Sequence, residues 1–395
     1  MYNNTRTSRR PFLGRSRQQR FGRHGPKSTT VDPLRFINKS ADQPIERPYE
    51  PTHTFSDFGL NSQIVERVSR HGYVTPTPIQ DQAIPVVMTN TDIIGLADTG
   101  TGKTAVFLLP LIDKMLSDRS QKALIIVPTR ELAVQIDEEL KAFASGLPIY
   151  SAVCIGGNGY GHQDRALQRR PQFVIGTPGR LKDHFERRTL RLNDVQNLVI
   201  DEADRLVDMG FIRDIRLLVG KLPIDRQTLF FSATMAPEVQ DMVQTFLRSP
   251  QTISVKKRET SINVDQDVIH FTDNYHKMTL LHDLLAKAEF KKVLIFGRTK
   301  HGVEKLNEAL RERGFSSISI HGNKSQSQRQ RSLNEFKANQ AQVMVATDVA
   351  ARGLDIPNVT HVINFDLPQS FGDYIHRIGR TGRADQKGVA LTFVS

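Results

Sequence analysis

Two short runs in the 395-residue chain combine residue types that handle phosphate and water. The first, Ala97-Asp-Thr-Gly-Thr-Gly-Lys-Thr104, follows the apolar run 93–97 and opens a helix-period segment. Gly100 and Gly102 allow backbone N–H groups to approach an anion closely, and the N-terminus of the following helix adds its dipole. Lys103 can neutralise the outer oxygens of a triphosphate, and Thr104 can offer a hydroxyl to Mg2+. Asp98, Thr99 and Thr101 complete the loop, while Ala97 stands where the strict pattern has glycine, so this is a variant. The second run, Asp201-Glu-Ala-Asp204, closes the apolar run 198–200 and lies 98 residues beyond Lys103. In open parallel sheets ligands gather at the carboxyl ends of strands. Asp201 suits a Mg2+ ion, and Glu202 suits orienting and deprotonating an attacking water. An acidic turn alone is ordinary structure; behind a phosphate loop it reads as a hydrolytic site.

Both runs need strands to position them, and the flanking pattern supplies these. From about residue 53, apolar runs at 93–97, 124–127, 152–155, 173–175, 198–200 and 229–231 alternate with amphipathic stretches such as 130–143 and 237–247. That alternation predicts an α/β fold, a parallel sheet covered on both faces. It breaks over 249–266, which reads as a linker. A second series then follows, with strands at 293–296, 318–320, 343–346, 362–365 and 389–394 and helices at 277–288, 302–313 and 326–336. Two similar domains joined by a short hinge are expected. The chain stops directly after the last strand, without a helix to cover it, which suggests a minimal or truncated chain.

Composition narrows the classes. Hydrophobic residues make up 38% and charged residues 24%, enough for sizeable cores, so wholly disordered and collagen-like classes are excluded. No apolar run reaches the roughly 20 residues of a membrane helix, and the basic N-terminus lacks the apolar segment of a secretory signal. No membrane partner is expected. The single cysteine, Cys154, reads as a small core residue and fits a reducing, cytoplasmic setting. Net charge is +12, and eight basic residues from Arg6 to Lys27 precede the first acid, Asp32. This tail, about residues 1–50, should be disordered. Its arginines suit phosphates, and Phe12 and Phe21 could stack on unpaired bases.

With these residues in place, the chain resembles the DEAD-box RNA helicases of helicase superfamily two, whose namesake is Asp201-Glu-Ala-Asp204. The resemblance covers about residues 53–395, with the motifs in the expected order. It implies two tandem RecA-like domains, the first over 82–255 and the second over 266–395. Residues 53–81 form the glutamine-motif region and 256–265 the linker. ATP and Mg2+ are the implied cofactors, with Thr104 and Asp201 at the metal. Phe55 and Gly72-Tyr-Val-Thr-Pro-Thr-Pro-Ile-Gln80 resemble the glutamine motif. The Gln80 amide can pair with N7 and the N6 amino group of adenine, which guanine matches less well, and Phe55 would stack on the base. Ser232-Ala-Thr234 resembles the triplet that couples hydrolysis to duplex opening, through hydroxyl contacts to Asp204.

Further motifs match the family's RNA-gripping positions. These are Pro128-Thr129-Arg130, Gly156-Gly157 and Thr177-Pro178-Gly179-Arg180 in the first domain, then Gln326, Arg329 and Thr347 in the second. Hydroxyls, backbone amides and arginines of this kind read phosphate and 2′-OH rather than base sequence, so sequence-nonspecific RNA is the expected partner. In His376-Arg-Ile-Gly-Arg-Thr-Gly-Arg383, the residues His376, Arg380 and Arg383 fall at i, i+4 and i+7, which one helix face would present together. The second domain lacks a phosphate loop of its own, so Arg380 and Arg383 are expected to act on a γ-phosphate held by the first. Asp355 matches the family position at the ATP ribose. Asp98, Asn323 and Asp385 depart from the common pattern without removing a catalytic group.

The expected activity is RNA-stimulated ATP hydrolysis coupled to local unwinding of RNA duplexes or remodelling of RNA–protein complexes. An ATP-gated RNA clamp or annealing factor shares the same motifs and is the principal alternative. A DNA-directed helicase or a small-molecule kinase fits the glutamine motif and the arginine cluster less well.

Overall fold

The structure, a computed structural model, describes residues 37, 49–97, 100–255, 264–351, 356–382 and 387–395. The tail residues Arg6 to Lys27, with Phe12 and Phe21, lie outside the described residues, as do Asp98, Thr99, Asp355, Arg383 and Asp385.

Helices α1 (Ser62–Arg70) and α2 (Pro78–Met88) lead into β1 (Ile93–Leu96) and α3 (Lys103–Ser117). Next come β2 (Ala123–Ile126), α4 (Arg130–Phe143), β3 (Ser151–Cys154), α5 (Tyr160–Gln168), β4 (Phe173–Gly176) and α6 (Pro178–Glu186). The first domain continues with β5 (Asn197–Ile200), α7 (Ala203–Asp208), α8 (Ile212–Val219), β6 (Gln227–Ser232), α9 (Pro237–Phe246) and β7 (Gln251–Ser254). The second begins with β8 (Val264–His270), α10 (Asn274–Leu285), β9 (Val293–Gly297), α11 (Lys300–Glu312) and β10 (Ser317–Ile320). It ends with α12 (Gln326–Lys337), β11 (Val343–Thr347), α13 (Asp348–Ala351), β12 (His361–Asn364), α14 (Phe371–Ile378) and β13 (Gly388–Val394).

The first sheet runs β3-β4-β2-β5-β6-β1-β7 and the second β10-β11-β9-β12-β13-β8, with every pairing parallel. Each predicted strand is present within a residue or two. The interior strands are mainly apolar, with polar residues such as Asn197, Gln227 and Asn364 at their ends, because helices cover both faces. Neighbours along a strand serve opposite cores: Ile93, Ile125, Val199 and Leu229 pack on one side of the first sheet, Ile94, Leu124, Leu198 and Phe230 on the other. In the second sheet Val293 and Val343 face one core, Leu294 and Met344 the other.

The stretch 249–266 is not simply a linker. Its ends form β7, which pairs with β1, and the start of β8, which pairs with β13. Both are edge strands. β7 buries only Ile253 and β8 carries Asp265, Gln266 and Asp267, so neither shows the apolar run of an interior strand.

Candidate active site and nucleic-acid interface

Strands β5, β6 and β1 are neighbours, so the turns leaving their carboxyl ends meet on one edge of the first sheet. Parallel strands stand about 4.8 Å apart, which places the phosphate loop and the acidic turn within side-chain reach across β6. Gly100 and Gly102 adopt φ of 85° and 88°, open to glycine at no steric cost. A Cβ on Gly102 would overlap the Gln80 amide. Lys103 opens α3, and its buried ammonium donates to the Ala97 carbonyl at 2.9 Å and lies 3.9 Å from Asp201 Oδ1. Thr104, in the same first turn, is half-buried. The first-turn N–H groups of α3 lack intrahelical partners, so they form an anion cradle.

Asp201 is 3% exposed, and burial pushes its carboxyl up to about 6, with Lys103 opposing the rise and Glu202 adding to it. Glu202 occupies the left-handed region at φ 52°, ψ 51°, as N-cap of α7. Its N–H donates to Asp201 Oδ1 at 2.8 Å, and its Oε2 accepts from Arg205 Nη1 at 2.9 Å. Among the described residues no group of three or more His, Cys, Asp or Glu is placed to hold a metal without other ligands. A buried Asp beside a phosphate cradle nevertheless fits Mg2+, which favours one or two carboxylates together with phosphate oxygens and water. The triplet at the end of β6 closes the edge as expected. Asp204 N–H donates to Ser232 Oγ and Thr234 Oγ1 donates to Asp204 Oδ2, both at 3.3 Å.

The glutamine-motif region packs closely against the phosphate loop. Gln80 is wholly buried, its Oε1 accepting from Thr77 N–H at 2.9 Å and its Nε2 donating to the Gly102 carbonyl at 3.0 Å. Thr77 Oγ1 donates to the Thr101 carbonyl at 2.8 Å. In this conformation the motif braces the phosphate loop through Thr77 and Gly102. Phe55 is 4% exposed, packed edge-on with Phe58 and Tyr73. Asp81, unremarked in the sequence, gathers Tyr49 Oη, His53 Nδ1 at 2.8 Å and the N–H groups of Thr52 and His53, pinning the segment before Phe55.

The RNA-type motifs of the first domain collect on one surface. Pro128 is buried ahead of Thr129, which caps α4 by accepting from Leu132 N–H at 3.3 Å. Arg130 lies along Gly156 and Gly157: a Cβ on Gly156 would stand 3.1 Å from its Nη2, and one on Gly157 would strike the guanidinium. Thr177 caps α6, with Pro178 and Gly179 in its first turn, and Arg180 Nη1 donates to the Asn158 carbonyl at 2.9 Å. Gln326 and Arg329 share the buried face of α12 in the second domain, as their spacing predicts. Arg329 Nη2 lies 2.8 Å from Glu131 Oε2, bringing α12 against the start of α4. Neither polar atom of the buried Gln326 amide has a hydrogen-bond partner among the described residues. Thr347 ends β11 in register with Gly297.

The arginine motif is corrected in one respect. Helix α14 ends at Ile378 with Gly379 as its C-cap, so His376 is helical and Arg380 lies beyond the helix. Arg380 therefore does not continue the helix face of His376, because the glycine ends the helix within one turn of it. Arg380 is buried, its Nε donating to the His376 carbonyl at 3.3 Å. Arg377, passed over in the sequence, is the anchor: it grips Asp348 through Nε and Nη2 at 2.6 and 2.7 Å. Its Nη1 donates to Asn364 Oδ1 at 3.0 Å and the Asp366 carbonyl at 2.7 Å. Only a buried position reveals this, since every arginine in the motif looks alike in sequence.

Comparison with known proteins agrees with this geometry. Residues 77–242 match the DEAD/DEAH box helicase family and residues 276–385 the helicase conserved C-terminal domain. The chain is 45% identical over 350 residues to the DEAD-box ATP-dependent RNA helicase CshA of Bacillus subtilis, covering 87% of this chain and 70% of that protein. It is 44% identical over 351 residues to CshA of Geobacillus kaustophilus, covering 87% and 73%. Among solved structures it resembles S. cerevisiae Dbp5 bound to RNA and ADP BeF3, with TM-score 0.76, 30% identity and coverage of 86% and 89%. Mss116p bound to ssRNA and AMP-PNP gives TM-score 0.78 at 30% identity, covering 86% and 73%. No helix among the described residues is long and apolar enough to cross a membrane. Two matched domains in tandem and relatives aligned over most of their length lead to one assignment: the chain belongs to the DEAD-box ATP-dependent RNA helicases.

Proposed function

We propose that this helicase couples RNA-stimulated ATP hydrolysis to local opening of RNA duplexes or remodelling of RNA–protein complexes, through a pocket completed only when its two domains close. The observation that carries the proposal is the shared edge of β1, β5 and β6, where Lys103 stands 3.9 Å from Asp201 and Thr234 reaches Asp204. The backbone from Gly100 to Thr104 and Lys103 would bind the triphosphate. Gln80, tied to Gly102, would read adenine with its remaining N–H and lone pair. Thr104 and Asp201 would hold Mg2+, which supplies charge neutralisation at the phosphate oxygens. Glu202, held by Arg205, would orient and deprotonate water. Asp355 would meet the ribose, and His376, Arg380 and Arg383 would complete the pocket from the second domain.

Pro128 to Arg130, Gly156-Gly157, Thr177 to Arg180, Gln326, Arg329 and Thr347 would grip the RNA backbone without reading its sequence. The RNA-bound state of Dbp5 and of Mss116p supports this, as does the Arg329–Glu131 contact, which joins the two halves of the surface. A strand held across both domains favours their closure, and bound ATP favours the same state, so each raises the affinity for the other. The setting proposed is the cytoplasm.

ATPase assays with and without RNA test the proposal. Glu202→Gln should lower turnover by about 10²–10⁴-fold, the range for a positioned general base, while ATP still binds. Arg380→Ala should abolish the RNA-stimulated component. Full turnover in Glu202→Gln, or a parent enzyme indifferent to RNA, would sink the proposal. A strand-displacement assay in parallel distinguishes an unwinding enzyme from an ATP-gated clamp.

A further inference from the structure

Tyr160, at the start of α5, is partly exposed yet heavily engaged. The Arg180 guanidinium carbon lies 4.2 Å from its ring centroid and that of Arg187 lies 4.0 Å away. Its hydroxyl donates to Asp183 Oδ2 at 3.0 Å. Asp183 and both arginines belong to α6 or its C-cap, and Arg180 and Arg187 are seven residues apart, two turns along one face. The ring lies across that face and contacts both guanidinium groups. By the two distances to one centroid, the guanidinium carbons stand no more than about 8 Å apart.

We infer that Tyr160 is a positioning residue that racks Arg180 and Arg187 into one grip for neighbouring phosphates of an RNA strand, and that Arg187 is a further RNA-binding residue. The inference rests on the RNA-gripping role proposed above for Arg180, and extends it beyond the motif to α6's far end. Arg180 is oriented toward the glycine loop by its bond to the Asn158 carbonyl, so the rack continues the surface that carries Arg130 and Gly157. Arg187 is 43% exposed in its side chain, and Asp164, at 3.3 Å, engages one of its five N–H donors. An exposed ion pair of this kind contributes little to stability. Holding a guanidinium against an aromatic face restricts its rotamers before ligand arrives, which lowers the entropy lost on binding phosphate.

Binding of a fluorescein-labelled oligouridylate to the full chain, with a non-hydrolysable ATP analogue and over a range of salt, tests the inference. Arg187→Ala and Tyr160→Leu should each weaken binding about 3- to 10-fold, and Arg187→Ala should lower the slope of log K against log salt by about 0.7, one phosphate on a single strand. Tyr160→Phe, which keeps the ring and loses only the bond to Asp183, should bind as the parent does. Thermal midpoint and nucleotide affinity, measured on each variant, separate a lost rack from a disturbed fold. Parental affinity and salt slope in Tyr160→Leu would overturn the positioning role, and so would Tyr160→Phe failing as badly as Tyr160→Leu. Arg180→Ala distinguishes the levels: if it weakens binding while Arg187→Ala does not, the extension to Arg187 is wrong; if neither does, the grip at α6 itself is wrong.

Discussion

Glu202 and Asp201 show what the active-site edge demands of single residues. A left-handed conformation costs a residue other than glycine about 1 kcal/mol or more, and Glu202 adopts it at the turn where its carboxylate meets Arg205. Asp201 is held at a cost of a different kind. Its folded pKa of about 6 lies above the ordinary value of 3.8. The raised value means that protonated Asp201 favours folding: its contribution is fully present below about pH 4 and is lost as pH rises through 6. Near neutral pH the ionised, buried carboxylate therefore opposes folding of the nucleotide-free protein. Asp201→Asn should raise stability there by on the order of 1–3 kcal/mol, with a smaller gain at pH 5, while ATPase activity collapses. Denaturant titrations at pH 7.5 and pH 5 check this; an equal or larger gain at the lower pH would refute it.

Elements carry the connections between motifs. Helix α14 is locked to α13 and to the end of β12 by the Arg377 fork on Asp348 and by its bonds to Asn364 and Asp366. A lysine cannot make a planar, bidentate contact while also bonding a third and fourth oxygen. Arg377→Lys should cost about 2–4 kcal/mol, and Arg377→Ala, which leaves buried acceptors unpaired, about 3–5 kcal/mol, measured by thermal or denaturant unfolding. In the first domain, the end of β6 touches α7 through Ser232 and Thr234. Losing a hydrogen bond to a charged group removes about 1.5 kcal/mol or more of coupling. Thr234→Val should therefore reduce strand displacement about tenfold more than it reduces ATP turnover. Equal losses in both assays would assign the contact to hydrolysis rather than to coupling.

At the scale of the whole molecule, the two sheets are joined by more than their connecting segment. Glu131 and Arg329 are both buried where α4 meets α12, and burial pulls the Arg329 pKa down while Glu131 holds it up. Truncating one partner leaves the other as a buried, uncompensated charge, so the arrangement with both domains in contact loses most. Arg329→Ala should lower RNA stimulation of ATPase at least tenfold, and Arg329→Gln combined with Glu131→Gln should recover part of it. Independent, additive losses in that double-mutant cycle would show that the pair does not couple the domains.

Much of this organisation was legible along the chain. Interior strands announce themselves because parallel sheets bury both faces, so runs such as 123–127 and 343–346 must be apolar throughout. The phosphate loop, the acidic turn and the Ser232–Thr234 triplet were legible because each needs particular residue types in sequence, close to the end of a strand. Edge strands β7 and β8 were not, because one side of each has no strand to pair with and polar residues are tolerated there. Local order and residue chemistry determined which groups are available and that two similar sheets would present them. Tertiary structure alone decided which of those groups are already spoken for: that Phe55 is enclosed by Phe58 and Tyr73, that Gln80 braces Gly102, and that Arg377 rather than Arg380 anchors its helix. These depend on burial and on partners tens of residues distant, and a side chain's type cannot say whether water, a ligand or a neighbour will satisfy it.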